Sequence, residues 1–98
     1  MIKIQTKEAD GKFAIKMEGH AGFNPGNDIV CSAASMLIQT LHCSLLSGIN
    51  GGSLKSADFS HGYAQLEFKG GQDLYHHTVL GFELLQKAYP DHVFVVKN

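Results

Sequence analysis

One histidine and one cysteine lie eleven positions apart in the stretch GHAGFNPGNDIVCSAAS, His20 and Cys31. An imidazole can accept a thiol proton and later protonate an amine leaving group, because it titrates near neutral pH. A thiol with such a base within hydrogen-bond reach is an activated nucleophile. The two residue types therefore predict a catalytic dyad, with Cys31 as the nucleophile and His20 as the general base and acid. The alternatives are a small buried cysteine and a solvated histidine at a strand end.

The position of Cys31 relative to Asp28 favours the thiolate. Asp28 is a good helix N-cap, which would place Cys31 in the first helical turn, where the helix dipole favours negative charge. We expect the free N–H groups of this turn to stabilise an oxyanion. We expect Asp28 to cap the helix rather than orient His20, because a carboxylate beside the thiol opposes thiolate formation.

The segment between the two residues has the composition of a mobile loop. It predicts a substrate-binding flap that closes over an extended peptide, although a plain connector has the same composition. The flap consists of Ala21, Gly22, Phe23, Asn24, Pro25, Gly26 and Asn27. Ser35 follows Cys31 by four residues and shares its helical face. Its hydroxyl has three candidate roles: orienting His20, binding substrate, or bonding back to the Cys31 carbonyl.

The remaining histidines and the second cysteine form no recognisable ligand set. No HxxxH or CxxC spacing is present, so the sequence predicts neither a metal nor another cofactor. Cys31 and Cys43, twelve residues apart on one helix, would be separated by about 18 Å, which excludes a disulfide. No role is assigned to Cys43, His42, His61, His76, His77 and His92.

The elements that position these residues follow the order ββαββαβ. Alternating apolar residues flank Asp10-Gly11 and His61-Gly62, which predicts two hairpins. An apolar helical stripe runs from Asp28 to the glycines at Gly48, and a second helix ends at Pro90. The final run HVFVVK predicts a largely buried strand. We expect an α+β fold with two layers, a mainly antiparallel sheet and both helices on one face.

Bulk composition describes one ordinary globular domain spanning residues 1–98, with 44% hydrophobic residues, 17% charged residues and a net charge of −1. No cluster of basic residues stands out along the chain, so direct nucleic-acid binding is not expected. Uninterrupted apolar stretches are shorter than the ~20 residues of a membrane span. The N-terminal residues lack the apolar core of a secretory signal. These features predict a cytoplasmic protein without a membrane partner.

The residues Gly19-His20-Ala21-Gly22, then Asp28-Ile29-Val30-Cys31, then Ser35, resemble the signature of the ribosomal-processing cysteine protease family, Prp. The residue after the cysteine is often alanine in that family and is Ser32 here. The resemblance implies a His20–Cys31 dyad supported by Asp28 and Ser35. It also implies a homodimer that removes the N-terminal extension of the large-subunit ribosomal protein number twenty-seven, cleaving after a Phe-Phe pair.

The sequence thus predicts a cytoplasmic cysteine endopeptidase that processes a ribosomal protein. The sequence is also compatible with two other functions. One is a non-enzymatic ribosome-assembly module that binds a peptide or RNA through the same loop. The other is a different cysteine-dependent acyl or thiol transfer, which would use the same residues with another acceptor.

Overall fold

A computed structural model describes all 98 residues and has the expected α+β architecture. The predicted order ββαββαβ is confirmed. The elements are β1 (Ile2–Ala9), β2 (Lys12–Glu18), α1 (Ile29–Leu46), β3 (Ser53–Ser60), β4 (Tyr63–Lys69), α2 (Gln72–Ala88) and β5 (Val93–Lys97). A single 3₁₀ turn, Ile49–Gly51, lies in the connector between α1 and β3, where the sequence predicted only a flexible linker.

Both hairpins form at the predicted turns and join into one sheet. Asp10 and Gly11 have positive φ angles of 53° and 74°, as a two-residue turn between right-twisted strands requires. β2 pairs antiparallel with both β1 and β4, so the two hairpins lie side by side. The strand order is β3-β4-β2-β1-β5.

The fifth strand differs from its prediction. β5 lies at the edge of the sheet and pairs in parallel with β1, which makes the sheet mixed. Of its residues only Val93 is buried, and Phe94 is 50% exposed. The prediction of a largely buried strand was wrong because an apolar run does not distinguish a central strand from an edge strand.

The core lies between one face of the sheet and the two helices. Helix α1 contributes buried residues at three- and four-residue intervals: Val30, Ala34, Ile38, Leu41 and Leu45. They join buried strand and α2 residues in one apolar cluster. A Cβ at Gly81 of α2 would lie 2.6 Å from Cδ2 of Leu37, so this glycine permits the close approach of the helices.

Helix α1 is also long and apolar enough, by length and composition, to cross a membrane. Its 18 residues include no charged side chain and have a mean hydropathy of 1.6. Its buried stripe nevertheless packs in the core of the domain. Core helices often have the same length and composition, so these two properties do not indicate a membrane span.

Candidate active site

The structure brings His20, Cys31 and Ser35 to one surface depression of ≈ 310 Å³. His20 follows the end of β2, Cys31 lies in the first turn of α1, and Ser35 lies one helical turn later. The far wall comes from the β3–β4 turn and its flanks, with Phe59, His61 and Tyr63 among its residues. The strand end and the helix start therefore lie side by side, as a Cys–His pair needs.

Asp28 joins the start of α1 to the flap. Its Oδ1 accepts hydrogen bonds from the N–H groups of Val30 at 2.9 Å and Cys31 at 3.0 Å. Its Oδ2 accepts from those of Phe23 at 2.9 Å and Asn24 at 3.2 Å. Desolvation raises the pKa of the Asp28 carboxyl, but these four donors outweigh it and hold the pKa below its ordinary value. The predicted capping position is confirmed, and the same carboxylate also holds the flap.

Because the cap is so complete, the expected oxyanion donors at the helix start are not free. The N–H groups of Val30 and Cys31 are directed to Asp28 Oδ1, and the N–H of Ser32 donates to the Asp28 carbonyl at 3.1 Å. The prediction of free first-turn N–H groups is wrong for these three residues. An N-cap carboxylate uses the donors that an oxyanion would otherwise meet.

The sulfur of Cys31 accepts a hydrogen bond from a different backbone group. The N–H of Ala21 lies 3.2 Å from Cys31 Sγ, whereas the structure shows no hydrogen bond from the His20 imidazole to this sulfur. An N–H directed at sulfur stabilises the thiolate more than the thiol, because the charged acceptor makes the stronger bond. The residue after the candidate base thus contacts the candidate nucleophile.

His92 holds the other side of Ala21. Its Nδ1 lies 2.9 Å from the Ala21 carbonyl oxygen, and since a carbonyl only accepts, this nitrogen carries the proton. Phe23 packs edge-on against the rings of Tyr89 at 5.2 Å and His92 at 5.3 Å between centroids. Ala21 itself is only 2% exposed. The segment between α2 and β5 therefore supports the base of the flap.

His61 lies beside His20. The ring centroids are 4.9 Å apart, and the Gly19 N–H donates to the Gly62 carbonyl at 2.9 Å. Gly62 has a φ of +70°, and a Cβ there would lie 2.9 Å from His20 Nε2. The glycine thus leaves room for the imidazole of His20.

Neither His61 nor His92 was assigned a role from the sequence. His61 could have been found from the pairing of Glu18 with Tyr63, which brings residues 19–20 beside the β3–β4 turn. His92 carries no such signal, because it is separated from Ala21 by 71 positions.

The rest of the flap lies outside the depression. Gly22 and residues 24–27 are exposed and do not line it in this conformation. Substrate binding by the flap therefore stays a prediction. No group of three His, Cys, Asp or Glu side chains is placed to hold a metal ion. Cys43 is exposed, the rings of His42 and Phe59 are tilted with centroids 5.0 Å apart, and His76 pairs with Glu8 at 3.3 Å.

Comparisons with known proteins identify a family and a fold. The family model described as "Cysteine protease Prp" matches residues 1–94. The fold is similar to that of an essential ribosomal processing protease Prp from S. aureus in complex with a covalently linked product peptide. That match has a TM-score of 0.87 and 18% identity over 100% of both chains.

Two further structures are similar. The S. aureus protease in complex with a substrate peptide has a TM-score of 0.80 and 17% identity over 100% of both chains. SMU.848 from Streptococcus mutans has a TM-score of 0.72 and 23% identity over 100% of this chain and 96% of that one. No curated protein sequence matches this chain at a significant level.

Proposed function

This chain belongs to the cysteine protease Prp family, and on that premise we propose that it removes the N-terminal extension of the large-subunit ribosomal protein number twenty-seven. Membership makes it a cysteine protease, which decides against the non-enzymatic binding module. The observation that carries the proposal is the meeting of His20 and Cys31 in one depression. The similar S. aureus protease is described as ribosomal-processing and binds a substrate peptide, which supports a peptide from a ribosomal protein as the substrate.

The proposed reaction passes through a thioester. His20 accepts the thiol proton of Cys31, and the sulfur attacks the scissile carbonyl carbon. The tetrahedral intermediate collapses, the C–N bond breaks, and the proton on His20 passes to the leaving amine. Water, deprotonated by His20, then hydrolyses the thioester and restores the thiol. The S. aureus protease holds a covalently linked product peptide, and a covalent adduct is expected of a cysteine nucleophile.

The remaining groups have supporting roles in this proposal. The N–H of Ala21 stabilises negative charge on the sulfur of Cys31, since it already donates to that atom. Asp28 holds the helix start and the flap together. Ser35 contacts the substrate from the helical face that lines the depression. The flap orders around the substrate, and cleavage follows an aromatic pair.

Cytoplasmic location and a homodimer complete the proposal. An apolar groove between α1 and α2, lined by Met36, Leu37 and Leu84, offers a surface for a second copy. Sedimentation equilibrium over a range of concentrations measures the mass in solution. A mass that stays monomeric at every concentration contradicts the dimer.

A peptide spanning the extension and its junction tests the enzymatic proposal. We expect the wild-type chain to cleave it after the aromatic pair, Cys31→Ala to be inactive, and His20→Ala to be slower by about 10²–10⁴-fold. Cys43→Ala and His76→Ala are matched controls that should retain full activity, because both residues are exposed and neither lines the catalytic depression or the α1–α2 groove.

Two outcomes separate errors in the site from errors in the substrate. Cleavage by Cys31→Ala or His20→Ala at the wild-type rate contradicts the dyad. The other outcome is a peptide that remains uncleaved while Cys31 is alkylated faster than Cys43 and this alkylation slows in His20→Ala. That result would contradict the proposed substrate but would still support the catalytic dyad.

A further inference from the structure

The open face of the sheet collects most of the positive charge of the protein. All eight basic side chains are lysines. The strand register places five of them on the face opposite the helices, and the bulge at Lys55 brings a sixth to its end: Lys3, Lys7, Lys12, Lys16, Lys55 and Lys69. The lysines are spread along the sequence, so no cluster is visible until the strands align.

Four of these lysines line one concavity of ≈ 690 Å³ at the end of the face, away from the catalytic depression: Lys7, Lys12, Lys55 and Lys69. All four are exposed, and none takes part in the three ion pairs of the protein. Two carboxylates, Asp10 and Glu67, share the concavity without pairing with them. The four ammonium groups therefore leave this region positive.

One pair within this concavity is unfavourable for the isolated protein. Lys12 of β2 and Lys69 of β4 are direct register partners. Like charges directly opposite each other on neighbouring strands destabilise a sheet, because the side chains leave the same face only about 5 Å apart. A bound anion would offset this repulsion, because it attracts both ammonium groups.

The same face also carries aromatic rings. Phe94 is the register partner of Lys3 and is half exposed, and the Lys16 ammonium lies 5.8 Å from the centre of the Tyr63 ring. Lysines that follow a phosphate backbone, combined with rings on which bases stack, are the features of single-strand binding surfaces. An acidic peptide would use the ammonium groups but not the rings.

We propose that this open sheet face, with Lys7, Lys12, Lys55 and Lys69 as its cationic concavity, binds single-stranded RNA through its phosphate backbone. The binding is independent of base sequence. The cationic concavity shares no residue with the catalytic depression, so the bound RNA localises the protease without the four lysines taking part in peptide cleavage. The net charge of −1 for the whole chain is compatible with RNA binding, because phosphate contacts depend on the charge of the local surface.

Fluorescence anisotropy with a labelled single-stranded RNA of about 20 nucleotides tests the proposal at low salt, where a dissociation constant of about 1–100 µM is expected. The slope of log K against log salt concentration should be near −3, which is about 0.7 for each of four phosphates. The double variant Lys12→Gln/Lys69→Gln should roughly halve that slope and weaken binding at least tenfold. Lys87→Gln on α2 is the matched control and should leave both quantities unchanged.

Three results overturn the proposal. The first is the absence of RNA binding by the wild-type chain at low salt. The second is an equal loss of binding in Lys87→Gln and in the double variant. The third is binding of poly-glutamate as tight as that of RNA, which would identify an acidic protein partner instead. Cleavage of the peptide that spans the ribosomal-protein extension by the double variant at the wild-type rate shows that the variant is folded.

Discussion

His92 Nδ1 donates a hydrogen bond to the carbonyl oxygen of Ala21 at 2.9 Å, and the N–H of that same Ala21 donates to Cys31 Sγ at 3.2 Å. The candidate nucleophile is therefore connected to a histidine outside the dyad through one buried residue. Backbone hydrogen bonds fix His92 on both sides, since its N–H donates to Tyr89 and its carbonyl accepts from Ile2. We infer that His92 is a positioning residue.

Replacement of His92 tests this role. His92→Ala removes the donor to Ala21, and the loss of one hydrogen bond should lower kcat/KM by up to about tenfold, mainly through kcat. Alkylation of Cys31 by iodoacetamide at neutral pH should slow in parallel, because the Ala21 N–H is less well placed to stabilise the thiolate.

An asparagine at this position separates positioning from simple destabilisation. The side-chain N–H of His92→Asn can replace the Nδ1–H, so this variant should recover most of the activity and the alkylation rate. His76→Ala, on an exposed face of α2 outside the α1–α2 groove, serves as the control. Unchanged kcat and unchanged alkylation in His92→Ala would contradict the positioning role.

Two substitutions at Asp28 divide its two functions. Asp28→Ala removes the helix cap and the flap bonds, and should lower the melting temperature by about 5 °C. Asp28→Asn keeps an oxygen acceptor for Val30 and Cys31 but has an amino group in place of the second oxygen. It should melt within about 1–2 °C of the wild type while its Phe23 and Asn24 amides exchange hydrogen faster. Wild-type exchange at these two amides would show that Oδ2 does not hold the flap.

Acid should weaken the stabilisation that the Asp28 carboxylate gives to the helix start and the flap. Desolvation raises the pKa of Asp28, but hydrogen bonds from four N–H groups outweigh it, so the pKa in the folded protein is below 3.8. A lowered pKa means that the stabilisation is complete above the unfolded value and is lost as the pH falls through the folded value. The difference in melting temperature between the wild type and Asp28→Ala should be constant above about pH 5 and should shrink below pH 3.8. A constant difference down to pH 2–3 would contradict this assignment.

Gly62 gives a test of the space around His20. In Gly62→Ala the new Cβ would lie 2.9 Å from His20 Nε2, so the imidazole must move and peptide cleavage should fall at least tenfold. Gly11→Ala is the matched control, because Gly11 also has positive φ, +74°, but has no atom within 4 Å of its Cβ position. Both variants should lose similar stability from backbone strain. Equal cleavage rates in the two would show that the displaced ring does not matter.

Much of the fold could be predicted because its signals are local. Asp10-Gly11 and His61-Gly62 mark tight turns, and Asp28 followed by an apolar stripe marks a helix start. The edge position of β5 could not be predicted, because the pairing partner of a strand depends on segments that are distant in the sequence. The same limit applies to His92, whose role exists only when β5 lies beside β1, and to Lys12 and Lys69, which become neighbours only through strand register.

The residues of the candidate site could also be predicted from local signals, but their hydrogen bonds could not. The types and spacing of His20 and Cys31 indicate a dyad, and the capping position of Asp28 follows from its place before the helix. The sequence did not show that the carboxylate would occupy the first-turn donors, nor that Ala21 would supply the hydrogen bond to the sulfur. Both depend on how the loop turns back on the helix.

The pairing of β5 with β1 also has a consequence for the order in which the protein matures. Synthesis proceeds from the N-terminus, so His20 and Cys31 emerge long before His92 and the strand that follows it. The hydrogen bond from His92 to Ala21 can form only after the most distant segments of the chain have met. We therefore expect nascent or C-terminally shortened chains to have a poorly reactive Cys31. The full reactivity of Cys31 would then be reached only as one of the last events of folding.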